Sequence, residues 1–171
     1  QSFKSATGTF GLLNPKLRLQ YEQSFGTNHR FSSGGELTYY LVNWTGPKIE
    51  GFARIYGKDN GAERGFFGQI KAGYGNLASI DIISSSTNKR WSTVGGGIAG
   101  GYKFLIGEHF IIEQVFGFQI YTPPYQVKST NSSSDPFDSY EDDFETAVEG
   151  IGWDLTSGFP IDFQLKLGWQ F

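Results

Sequence analysis

The sequence contains no cysteine, which excludes disulfides, thiolate metal sites and a lipid-anchored N-terminal cysteine. No stretch approaches the ~18 consecutive apolar residues that a transmembrane helix requires. Helical apolar periodicity is missing throughout, and no tandem repeat is present. No charged segment followed by an apolar core opens the chain at Gln1. If the protein is exported, the chain is expected to be a mature form whose signal peptide has been removed.

What remains points to β structure. The 171 residues include 24 Gly, 16 Phe, 9 Tyr and 4 Trp, and aromatics make up 17%. Aromatic residues suit pleated surfaces, and glycines suit turns and crowded barrel interiors. The length fits a single domain over 1–171. The mean hydropathy of −0.33 would describe a soluble protein, but a barrel in lipid alternates apolar and polar faces whose contributions nearly cancel.

The clearest segment is the last. Ile161, Phe163, Leu165, Leu167, Trp169 and Phe171 alternate with Asp162, Gln164, Lys166, Gly168 and Gln170 without a break for eleven residues, about the length of a tilted membrane-spanning strand. The same alternation recurs over 109–121, 93–104, 66–75, 48–57, 35–42 and 17–25, and more weakly over 2–10. These eight segments predict an all-β, eight-stranded antiparallel up-and-down transmembrane β-barrel, since an even count closes the sheet and leaves no edge in lipid. Alternate links are short, at 25–30, 58–64 and 106–109. The others fall at 11–15, 43–47, 76–92 and 122–158, and the last two are long, as extracellular loops tend to be. Both termini are therefore expected on the periplasmic side. The loop at 122–158 is acidic: Asp135, Asp138, Glu141, Asp142, Asp143, Glu145 and Glu149 face only Lys128, a net −6 that leaves +3 for the rest of the chain.

The inward faces of these strands carry Arg18, Arg54, Lys71, Lys103 and Lys166 against Glu22, Glu36, Glu50, Glu113 and Asp162. Five cations balance five carboxylates, which predicts a lumen sealed by ion pairs. Phe52, Tyr56 and Phe67 are expected to fill space beside Gly73, Gly97 and Gly101. Interfacial aromatic girdles are expected from Trp44, Trp91, Tyr121 and Phe159 on the outer side, and from Phe25, Phe104, Phe110, Trp169 and Phe171 on the periplasmic side.

Asn14-Pro15-Lys16, Gly46-Pro47-Lys48-Ile49-Glu50, Gly101-Tyr102-Lys103-Phe104 and the closing Leu165-Lys166-Leu167-Gly168-Trp169-Gln170-Phe171 carry a resemblance that spans nearly the whole chain. The chain resembles the small eight-stranded outer-membrane barrels of Gram-negative bacteria, the OmpA/OmpX-type architecture, and within it a family of outer-membrane barrels with no assigned activity. The resemblance implies an outer-membrane location and contact with outer-membrane lipid. It also implies that Trp169 and Phe171 form the terminal signal read by the barrel-assembly machinery. The glycine that usually precedes such a signal is Lys166 here, with Gly168 two residues further on.

The candidate chemistry is sparse. His29 and His109 fall in short turns without further ligands at metal spacing, and no wall position sets a histidine beside a serine as nucleophilic catalysis requires. The acidic loop lacks the alternate-position acids and the glycine of an EF-hand, so a solvated face is the simpler reading. Gly-rich Val94–Gly101 lacks the Gly-Lys-Ser/Thr ending of a phosphate loop. No basic patch interleaved with aromatics suggests nucleic acid. A lipocalin-like ligand barrel is excluded by the charged inner faces. The sequence thus implies a non-enzymatic structural or accessory outer-membrane barrel without cofactor or metal, contributing to a larger assembly with other outer-membrane proteins. The rival reading is a narrow passive channel for small solutes or ions.

Overall fold

The structure, a computed structural model, describes residues 3–11, 16–26, 28–41, 44–57, 64–79, 90–122 and 161–171. They form eight strands: β1 (Lys4–Gly11), β2 (Lys16–Phe25), β3 (Phe31–Tyr40), β4 (Trp44–Tyr56), β5 (Gly65–Ser79), β6 (Arg90–Ile106), β7 (Phe110–Tyr121) and β8 (Ile161–Gln170). Each pairs antiparallel with the next, and β8 returns to β1 to close the barrel. The architecture is the all-β, eight-stranded up-and-down barrel that the alternation predicts.

Strand limits differ from the sequence expectation where the apolar signal fades. β3 begins at Phe31, four residues before the expected 35, because Ser32, Ser33 and Gly34 continue the ladder opposite Arg54, Ala53 and Phe52. β4 runs through Gly46-Pro47, expected as part of a link. The β3 ladder is kept there, with Tyr39 opposite Pro47 and Tyr40 opposite Gly46. The β5 ladder passes from Thr45–Ala78 to Lys48–Gly75 and skips both residues, as a proline without an N–H requires. Gly46 sits at φ 135°, and a Cβ there would stand 2.3 Å from the Asn76 carbonyl oxygen. β5 and β6 also continue past their expected ends, through Ala78 opposite Arg90. Beyond the apolar band both faces can be polar, so alternation no longer marks a strand.

The barrel is inverted relative to a water-soluble one. Leu19, Ile49, Phe66, Ile70, Ile98, Ile120 and Phe163 are exposed on the outer face, while buried polar side chains outnumber buried apolar ones among the described residues. Such a wall fits hydrocarbon, which offers nothing to bond a polar group. Inward glycines make room for specific neighbours. A Cβ on Gly34 would stand 2.6 Å from the Phe52 ring, and one on Gly101 would stand 2.5 Å from the Phe67 ring. The expected partner of Gly101 is therefore in place. Gly73, however, faces Glu50 and Tyr121, Gly97 faces Gln119, and Tyr56 packs on Phe67. The curvature of the wall sets these partners, and strand alternation carries no information about what lies across the lumen.

Closure rests on a short seam. β1 and β8 pair from Ser5–Gln170 to Gly8–Leu167. Mutual backbone bonds between Lys4 and Phe171, at 3.3 and 2.9 Å, extend the seam. A Cβ on Gly168 would lie 2.2 Å from the Ala6 carbonyl oxygen and 2.5 Å from Thr7 Cγ2, whereas one on Gly8 meets nothing nearer than 3.5 Å. Gly168→Val should therefore prevent closure and abolish the compact, heat-sensitive gel mobility of the folded barrel, while Gly8→Ala keeps it. Equal folding yields for the two variants would contradict this account of the seam.

Candidate functional site

The candidate site is the lumen. Alternation along each strand sends one side chain in two inward, and all ten residues singled out from the sequence are buried there. The lumen also holds Lys48, which is 2% exposed and was not counted from the sequence. Among the described residues six buried cations thus face five buried carboxylates, which corrects the expected balance of zero. The signal was available: Lys48 precedes the outward Ile49 and shares the parity of Glu50, but it lay at the assumed start of the strand.

Towards the end that carries the termini, Glu22 is the centre. It accepts hydrogen bonds from Arg54 Nη1 at 2.9 Å, Lys103 Nζ at 2.7 Å and the Tyr56 hydroxyl at 2.6 Å. Ser32 also donates to it. Glu113 takes two further bonds from Arg54, at 3.1 and 3.2 Å, and lies 3.4 Å from Lys103 Nζ. The Arg54 guanidinium is also held 4.7 Å from the Phe52 ring centroid and 4.3 Å from that of Phe67. Arginine suits this position because its planar charge stacks on rings while its edge donates to several acceptors.

Further along the lumen, Lys166 and Arg18 share Glu36, at 2.7 and 3.6 Å. Arg18 reaches Asp162 at 3.5 Å, Asp162 reaches Lys71 at 2.6 Å, and Lys71 reaches Glu50 at 3.3 Å. Lys48 ends the series 2.9 Å from Glu50. Gln20 joins the two halves, because its Oε1 accepts from both Arg54 and Lys166. All eleven charged groups therefore belong to one connected network. Arg18 is its loosest member: both its ion pairs are long, and its Nε and Nη2 have no hydrogen-bond partner.

Apolar clusters cover the network at both levels. Tyr40, Leu77 and Tyr121, with Trp91 against them, lie towards the end away from the termini. The Tyr121 hydroxyl donates to Glu50 at 2.6 Å, and its ring centroid is 4.3 Å from Lys48 Nζ. Tyr56, Phe67 and Val115 pack together on the other side of the network. Tyr121 and Trp91, expected in an outer girdle, thus belong to the interior. Trp91 lies opposite Leu77 in the β5–β6 ladder, so it shares that residue's inward face. Phe25, Phe104, Phe110, Trp169 and Phe171 are exposed on the outer wall as expected. Phe159 lies outside the described residues, as do the side chain of Trp44 and the acidic loop.

The two histidines fasten turns. His109 Nδ1 lies 2.9 Å from the Gln170 carbonyl oxygen, and its ring stacks on Trp169 at 5.3 Å. His29, at φ 48°, brings Nδ1 to 3.4 Å from Ser24 Oγ. The structure therefore pairs a serine with a histidine where the sequence reading found none. Ser24 is 1% exposed and already accepts the Phe3 N–H at 2.8 Å, so the contact clamps the chain start to the turn. Among the described residues no cluster of His, Asp and Glu is placed to hold a metal.

Arg54→Met leaves Glu22 and Glu113 buried with Lys103 as their remaining cation. Losing one partner of a buried ion pair should cost about 3–5 kcal/mol, read by urea unfolding of the barrel in lipid vesicles. Adding Glu113→Gln should recover part of that loss, and a cost below about 1 kcal/mol for Arg54→Met would mean the pairs contribute little.

No protein-family model matches the chain, and no curated protein sequence matches it. Among solved structures, it is similar to the N-terminal β-barrel domain of OprF from Pseudomonas aeruginosa. The two share 13% identity and a TM-score of 0.53, over 99% of this chain and 96% of that one. At that identity the likeness is one of fold.

Proposed function

We propose that the protein is an integral outer-membrane barrel with a closed lumen, non-enzymatic, serving a structural or accessory part in a larger outer-membrane assembly. The observation that carries closure is the single network of eleven buried charges, capped by tyrosine and phenylalanine rings. Opening a path would separate pairs such as Arg54–Glu22 at 2.9 Å and Lys71–Asp162 at 2.6 Å. Each uncompensated charge left behind would cost several kcal/mol. An ion pathway needs sites that ions can enter and leave, whereas these carboxylates are already occupied by the protein's own cations.

The outer wall supports the membrane half of the reading, and outer-membrane lipid is its first partner. Trp169 and Phe171 stand exposed at the end of β8, where the barrel-assembly machinery would read them. No feature favours nucleic acid. A sealed scaffold that offers its wall to other molecules supports the assembly role.

Planar-bilayer recordings of the purified full chain should give no steady conductance. Reproducible single-channel steps would favour the narrow passive channel, and the surplus of cations in the lumen would then make it anion-preferring.

Topology supplies a separate test. With both termini periplasmic, proteinase K added to intact cells should cut within 122–150 and spare 58–64. Cleavage at 58–64 alone would reverse the orientation.

A further inference from the structure

Among the outward positions of the described residues, Gln114 sets a polar side chain deep within the apolar wall. The outer face of β7 reads Phe110, Ile112, Gln114, Phe116, Phe118 and Ile120, so Gln114 has two apolar residues on one side and three on the other. It is exposed and lies opposite Tyr102 on β6 and Leu165 on β8. Among the described residues no side chain bonds its amide. Other outward polar groups are easier to accommodate. Gln23 is half-buried, with polar Lys4 and Ser33 opposite it in its two ladders, and the short hydroxyl of Ser33 can turn to a nearby backbone carbonyl. A carboxamide reaches further from the wall and has two donors and an acceptor to satisfy.

The surface around Gln114 is a shallow groove of about 530 Å³, lined by Phe66, Gly100, Tyr102, Phe116 and Phe163. Gly100 lies opposite Gly68 in the β5–β6 ladder, so the floor beside the amide is bare backbone. The rims are aromatic: Phe66 meets Tyr102 edge-on at 4.6 Å, and Phe116 meets Phe118 at 6.0 Å. This is a wall that another protein surface can approach closely, with one polar group at its centre.

We propose that this sector of β6, β7 and β8 is the interface for a second copy of the chain, with Gln114 of each copy pairing amide to amide across a two-fold axis. The inference rests on the membrane reading above, since only in hydrocarbon does the amide lack water. A two-fold axis presents to each residue its own twin, and a carboxamide is self-complementary, its N–H donating to the other's carbonyl oxygen and the reverse. The lining carries no charged side chain, so a charged partner would gain nothing there. Apolar residues above and below Gln114 keep the headgroups of lipids at a distance.

The absence of cysteine permits a clean test. Leu165→Cys adds a single thiol beside Gln114, and Leu37→Cys adds one on β3, across the barrel from β7. The full chain carrying either change is folded into phosphatidylcholine vesicles and treated with bismaleimidohexane, whose flexible span joins thiols too far apart for a disulfide. Leu165→Cys should give a cross-linked dimer and Leu37→Cys should not. Adding Gln114→Leu to Leu165→Cys should lower the dimer yield about three- to tenfold while leaving the folded gel mobility unchanged, and Gln114→Asn should preserve most of it. Equal yields from the two cysteines, or a yield indifferent to Gln114→Leu, would overturn the proposal while leaving the membrane reading intact. A chain that does not fold into vesicles at all would overturn both.

Discussion

A sheet placed in hydrocarbon can leave no backbone N–H or C=O unpaired, and a closed barrel meets that condition. Eight strands meet it by returning β8 to β1. The seam admits no side chain at position 168, where even a methyl group would press on Ala6 and Thr7. Closure then fixes which residues face inward. It also fixes the bore, because eight strands leave an interior that side chains can just fill.

The charged interior follows from the wall's polarity. With apolar side chains committed to the outer face, alternation delivers polar ones to the lumen, where water is scarce. Charges in that setting persist only with partners. The chain supplies partners from strands far apart in sequence: Lys71 on β5 meets Asp162 on β8, and Lys103 on β6 meets Glu22 on β2. Arg54 contacts two carboxylates, two amide oxygens and two rings at once. Removing it would disturb both halves of the network, since Gln20 connects them.

The sequence disclosed the strands wherever one face is apolar and the other is not, as in Ile161–Phe171. It was silent where that contrast ends. Asn76–Ser79 and Arg90–Ser92 continue β5 and β6 with polar residues on the outer face, so nothing in their pattern separates strand from loop. The inward set was legible by parity, and Lys48 was missed because it stood at the assumed start of its strand, next to Pro47. Neighbours across the lumen were hidden. Parity says that Gly34 and Phe52 both point inward, but only the register and curvature of the closed sheet bring them together. Trp91 and Tyr121 misled for a related reason: an aromatic ring near a strand end is equally at home in a girdle or in a plug.

The ladders are unequal around the barrel. β5 and β6 pair at fourteen positions and are joined by a single link, whereas β1 and β8 pair at four and come from opposite ends of the chain. The β5–β6 hairpin is local and forms with little loss of chain entropy, so it can nucleate the sheet. The β1–β8 seam gains its bonds only by closing the sheet on itself, at the largest cost in chain entropy. The barrel is therefore a ring with one clasp, the ladder whose opening parts the fewest residue pairs among the described strands.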